Sequence, residues 1–95
     1  MNNIRKQILV KAIEYYGRGN QQFKAIEELS ELIRALVRSD HENIAEEMAD
    51  VRIMLDQLEI MFGNHELVGA FEYRKLMRLN ERTHAADVVG PERRR

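Results

Sequence analysis

Apolar residues recur along this chain every three to four positions, in four stretches separated by short polar breaks. That period is helical, and no stretch alternates cleanly with the period of two that a strand requires. In the first stretch, Asn3 to Tyr16, Ile4, Ile8, Ala12 and the Tyr15/Tyr16 pair fall at helical spacing, and Gly17 and Gly19 stop it. Asn20 is the expected N-cap of a second helix. Its apolar stripe is Phe23, Ile26, Leu29, Ile33 and Leu36/Val37. Arg38-Ser39-Asp40-His41 reads as a turn, and Ser39 to Glu42 has the S-x-x-E form of a capping box that opens a third helix. That helix carries Ile44, Met48, Val51, Leu55, Leu58 and Phe62 as its stripe and ends at Gly63. Asn64 then caps a fourth helix bearing Leu67, Phe71, Leu76 and Leu79, which Gly69 weakens by about 1 kcal/mol relative to Ala. From His84 the periodicity fades. The pattern predicts an all-α fold, a helical hairpin with flanking helices forming a bundle. Residues 1–83 are expected to make one domain and 84–95 a flexible basic tail.

Size adds a constraint. A chain of 95 residues buries only about 60–65% of its unfolded surface, so completion of the bundle by self-association, as a dimer or tetramer, is expected. The absence of cysteine excludes disulfides and thiolate metal sites and fits a reducing compartment, with the cytoplasm the expected location. No apolar run approaches the ~20 residues that span a bilayer, and no signal-peptide pattern opens the chain. Net charge is −1, so no global pull toward nucleic acid or membrane is expected. The charge is uneven, however: acid concentrates between Glu27 and Glu59, base between Arg74 and Arg95.

The acid is also patterned. Glu28 and Glu31 stand three apart on the second helix, and Glu47 and Asp50 stand three apart on the third. That spacing puts each pair on one helix face, where like charges repel unless something neutralises them. The two pairs are equidistant from Ser39, so an antiparallel hairpin brings them to the same height. Four converging carboxylates suit a hard divalent cation, Mg²⁺ or alternatively Mn²⁺, which takes oxygen ligands and substrate phosphates.

Glu27-Glu28-Leu29-Ser30-Glu31 followed after fifteen residues by Glu47-Met48-Ala49-Asp50 resembles the EExxE…ExxD signature of MazG-like nucleoside triphosphate pyrophosphohydrolases. The resemblance covers Ile4 to about Arg82 and leaves the tail outside. It implies an all-α enzyme that hydrolyses a nucleoside triphosphate, non-canonical or deoxy, to the monophosphate and pyrophosphate with Mg²⁺, clearing unwanted nucleotides from the pool. By motif position it implies Glu28, Glu31, Glu47 and Asp50 as metal ligands. Glu27, the first Glu of the motif, would support the metal shell or orient the attacking water. Glu46 has no place in the signature and reads as solvated.

A phosphate cleft also needs cations. Lys75, Arg78 and Arg82 share a face of the fourth helix by spacing, and comparable patterns late in MazG-like chains imply that they face the triphosphate, with Asn80 beside them. Gln22 and Lys24 precede the first acidic motif, and their direction is not fixed by spacing. A single E-x-x-H at Glu81 to His84 lacks the second copy that a di-iron bundle uses. His41 and His65 read as turn residues, and the aromatic residues as core. A phosphoribosyl-ATP or dUTP-type hydrolase shares the same chemistry. A non-catalytic helical interaction module is the rival from another class, and it would bind divalent ions only diffusely. No stable nucleic-acid partner is expected, since no aromatic residues interleave the basic tail.

Overall fold

The computed structural model describes residues 1–89, with side chains to residue 84. Among the described residues there are four helices and no strand: α1 Asn3–Tyr16, α2 Arg18–Arg38, α3 His41–Phe62 and α4 His65–Val89. The all-α expectation is met. The chain divides into two compact units, one ending at Gly63 and one beginning at Asn64.

In the first unit, α2 and α3 pair as an antiparallel hairpin and α1 packs against both. The turns differ in detail from the reading of the sequence. Gly17 has φ +94° and serves both as the C-cap of α1 and as the N-cap of α2. A side chain there would be strained, so this glycine permits the sharp bend. Because α2 begins at Arg18, Gly19 does not break the chain and Asn20 is not a cap. Its side-chain amide donates instead to the Tyr16 carbonyl, 2.7 Å away. At the second turn Ser39 ends α2 in the left-handed region, at φ 56°. Asp40, not Ser39, caps α3 by accepting from the Asn43 N–H at 3.2 Å. Ser39 is taken up in the left-handed end of α2, whereas Asp40 has the extended backbone that an N-cap requires.

The apolar stripes diverge more. On α2 the side turned to α3 is Gln21, Ala25, Glu28 and Ala35, whereas Phe23, Ile26, Leu29, Ile33, Leu36 and Val37 are all exposed. On α1, Leu9 and Ile13 are buried while Ile4, Ile8, Tyr15 and Tyr16 face out. On α3, Val51 is buried as expected, joined by Met54 and Met61, but Met48, Leu55 and Phe62 are exposed. The hairpin interior is thus small and mixes apolar with polar residues. Towards its open end Gln21 Nε2 donates to Gln57 Oε1 at 2.7 Å, with both residues buried. Arg5 ties α1 to α3 through Asp56, Nε to Oδ2 at 2.7 Å, and Arg18 donates to the Met61 carbonyl.

The second unit is α4. It continues through residues 84–89, beyond the point where apolar periodicity fades. The basic end of the tail, 90–95, lies outside the described residues. Asn64 stands just before α4 as expected of a cap, but its Oδ1 has no hydrogen-bond partner. Arg74 lies over the Phe71 ring at 4.8 Å.

Candidate functional site

Hairpin register builds the site. Residues 21 and 57 are equidistant from Ser39, and so are 28 and 50, so the glutamine pair that sets the register also sets the height of the carboxylates. Glu28 from α2 and Glu47 and Asp50 from α3 each offer an oxygen, all within 4.8 Å of one another. Glu28 is 8% exposed and Glu47 5%. Carboxylates are rarely so buried unless something pairs with them.

What pairs with them is unequal. Lys24 Nζ lies 3.2 Å from Glu28 Oε1 and 2.9 Å from Glu27 Oε1. Glu47 Oε2 is buried with no hydrogen-bond partner. Burial pushes the Glu47 carboxyl above the ordinary range, and the charges of Glu31, Glu28, Asp50 and Glu46 push it the same way. Burial also raises Glu28; Lys24 opposes this and neighbouring Asp50 reinforces it. Glu27 is held low by its hydrogen bond from Lys24, and Lys24 is correspondingly raised. The cluster therefore has an excess of negative charge, and its orphaned oxygen is the kind of atom a cation satisfies.

Of the residues singled out from the sequence, the structure brings together Glu28, Glu47 and Asp50. Glu31 lies near enough for its charge to act on Glu47, but its carboxylate points to Arg34, 3.5 Å away. Glu27 lies outside the group, beside Lys24. Lys75, Arg78, Asn80 and Arg82 belong to the second unit and are exposed. Lys75, Arg78 and Arg82 share one edge of α4. At about 100° per residue, Asn80 lies nearly half a turn away from them, and its carbonyl accepts from Thr83 at 3.1 Å. The buried Gln21–Gln57 pair was not singled out from the sequence. Its signal was the same equidistance from Ser39 that marked the acidic pairs.

A prediction follows from the raised carboxyl of Glu47. An acid that holds its proton more tightly folded than unfolded costs stability as pH rises from its ordinary value, here 4.5, through the raised one. Glu47→Gln removes that cost. In the absence of divalent ions, the melting temperature of Glu47→Gln should match that of the wild type near pH 4 and exceed it at pH 7. Glu27, whose pKa is lowered, contributes in the opposite sense but equally in both proteins, so it drops out of the difference. Thermal melts in chelator at both pH values check this, and a gap that closes as pH rises would contradict it.

A polar, acid-centred hairpin in an all-α chain is the architecture of the MazG-like all-α nucleotide pyrophosphatases. Within that superfamily, the family model for phosphoribosyl-ATP pyrophosphohydrolase matches residues 13–63, more than half of the chain, and the protein belongs to that family. The matched segment holds the hairpin and every residue of the acidic cluster. Searches among curated proteins and among solved structures returned no significant match. Family membership makes the protein a pyrophosphohydrolase acting on a nucleotide-like substrate.

Proposed function

We propose that the protein hydrolyses a nucleoside triphosphate, non-canonical or deoxy, to the monophosphate and pyrophosphate, using Mg²⁺ or Mn²⁺ in the cytoplasm to clear unwanted nucleotides. The observation that carries the reading is the buried, unpartnered Glu47 Oε2 within a three-carboxylate cluster. Glu28, Glu47 and Asp50 would hold the cation, and Glu31 would join them by releasing Arg34. Bound there, a divalent cation supplies charge neutralisation at the phosphoryl oxygens and an acidified water. Glu27 is open to solvent and held low by Lys24, which makes it a weak base, so its role would be to support the metal shell or to orient the attacking water. Lys75, Arg78 and Arg82 would neutralise the triphosphate, and residues 1–83 would act as one functional domain. Asn80 is the weaker contact, since it leaves α4 on another side.

Phosphoribosyl-ATP is a second substrate reading, favoured by the family match. It carries a triphosphate too, so the acidic cluster serves both substrates and the choice rests on the base and the added ribosyl group. Pyrophosphate release measured across canonical nucleotides, modified nucleotides and phosphoribosyl-ATP, with Mg²⁺ and with chelator, tests the proposal. Turnover confined to phosphoribosyl-ATP would replace the house-cleaning role with the second reading. Divalent-independent turnover would sink the metal assignment.

A further inference from the structure

Lys24 stands one turn before Glu28 on α2, and its ammonium touches the acidic cluster directly. Its Nζ lies 3.2 Å from Glu28 Oε1 and 2.9 Å from Glu27 Oε1. Arg34, another cation paired on this helix, reaches Glu31 at 3.5 Å, outside the three-carboxylate group. The Lys24–Glu28 pair contributes little to the helix itself. A glutamate supports a helix best when it precedes the lysine by four residues, and here the order is reversed. Nor is the lysine enclosed: its side chain is 50% exposed, against 11% for that of Glu28. A buried carboxylate thus tethers an ammonium that remains open to solvent.

Charge around the cluster is far from balanced. Glu27, Glu28, Glu31, Glu47 and Asp50 stand against Lys24 and Arg34, and a triphosphate adds further negative charge. Such a ligand needs cations close to the carboxylates that hold its counter-ion. Glu28 Oε1 is the oxygen that Lys24 occupies. Once Glu28 gives that oxygen to a divalent cation, Lys24 keeps Glu27 alone. That second contact holds the ammonium beside the cluster with donors to spare, since a lysine carries three on a flexible stem.

We propose that Lys24 is a substrate-contacting residue, which exchanges Glu28 for the phosphoryl oxygens of the bound triphosphate. The inference rests on the nucleotide-hydrolysing reading above and adds to it a phosphate contact from the helix that carries Glu28. Lys75, Arg78 and Arg82 belong to the second unit, whereas the reach of Lys24 is fixed within α2 itself. Until substrate arrives, the ammonium offsets the charge of Glu28, which would otherwise face Glu47 and Asp50 alone. With substrate seated, the same ammonium offsets the charge of the phosphate. Glu27 holds it in place throughout, a positioning role that suits a carboxylate outside the group.

The test is calorimetric binding of two probes to the full chain at saturating Mn²⁺. One is α,β-methylene-ATP, whose bridge resists hydrolysis; the other is inorganic tripolyphosphate, which has no base. Saturation removes the contribution of metal affinity, so a change reports on the phosphate contact. Lys24→Met should weaken both probes by at least about tenfold, as the loss of one charge-assisted hydrogen bond does. Mn²⁺ alone should bind that variant no more weakly than the wild type. Lys11→Met makes the same change at an exposed position on α1 and should stay within about twofold of the wild type for both probes. A lysine that served only as counter-ion gives the opposite sign. Probe binding in Lys24→Met that is unchanged or tighter therefore overturns the proposal. Loss of Mn²⁺ and probe binding together marks a structural role and overturns it too. A wild type that binds neither probe removes the triphosphate reading itself, and the assignment of Lys24 with it.

Discussion

Glu47→Gln should lower divalent-dependent pyrophosphate release by at least about a hundredfold, the loss expected when a ligand to a metal worth several kcal/mol of transition-state stabilisation is removed. Shape and helix propensity are nearly unchanged, so helical content and mass in solution should match the wild type. Stability without divalent ions at neutral pH should be equal or higher, because the substitution removes a buried carboxylate that Glu31, Glu28, Asp50 and Glu46 all repel. Loss of activity together with retained or raised stability separates a functional group from a structural one. Asp50→Asn should behave alike. Glu46→Gln is the control: it removes the same charge one residue away, from an exposed position outside the cluster, and should leave turnover within about twofold, as surface changes usually do. Steady-state kinetics and circular dichroism on the three variants decide the matter. Wild-type turnover in Glu47→Gln would remove the residue from the site.

Millimolar Mg²⁺ or Mn²⁺ should raise the melting temperature well beyond the shift from NaCl at matched ionic strength. A ligand that binds only the folded state stabilises it by mass action, whereas salt merely screens. Lys24 modulates the effect. Its ammonium lies against both Glu27 and Glu28 and acts as an internal counter-ion that an arriving cation must displace. Lys24→Met should therefore tighten Mn²⁺ binding several-fold in a calorimetric titration, whatever it does to turnover. Equal shifts from MgCl₂ and NaCl would favour a non-catalytic helical module.

Helix positions and the height of the acidic pairs were legible in the sequence, because both depend on local spacing. Gly17 and Gly63 stop helices wherever the chain goes next. Glu28 and Asp50 meet because they are equidistant from a two-residue turn, and Gln21 and Gln57 obey the same rule. What could not be read was which side of each helix turns inward. Apolar periodicity marks a face that must be covered but does not name its cover. On α2 the strongest stripe, Phe23 to Val37, turns away from α3, and the weaker line of Gln21, Ala25, Glu28 and Ala35 turns toward it. A hairpin with carboxylates at its centre turns polar residues inward, so its strongest apolar stripe faces out. The caps failed for a more local reason: where two capping residues adjoin, as at Ser39 and Asp40, spacing alone does not choose between them.

The measurement that bears most directly on the central claim is ³¹P NMR of the reaction of the full chain with its best nucleotide substrate, in Mg²⁺ and then in excess chelator. Hydrolysis at the acidic cluster predicts that nucleoside monophosphate (phosphoribosyl-AMP if phosphoribosyl-ATP is the substrate) and pyrophosphate appear together in equal amounts, and that both vanish on chelation. Release of inorganic phosphate with a diphosphate product, or pyrophosphate release that persists in chelator, would contradict it.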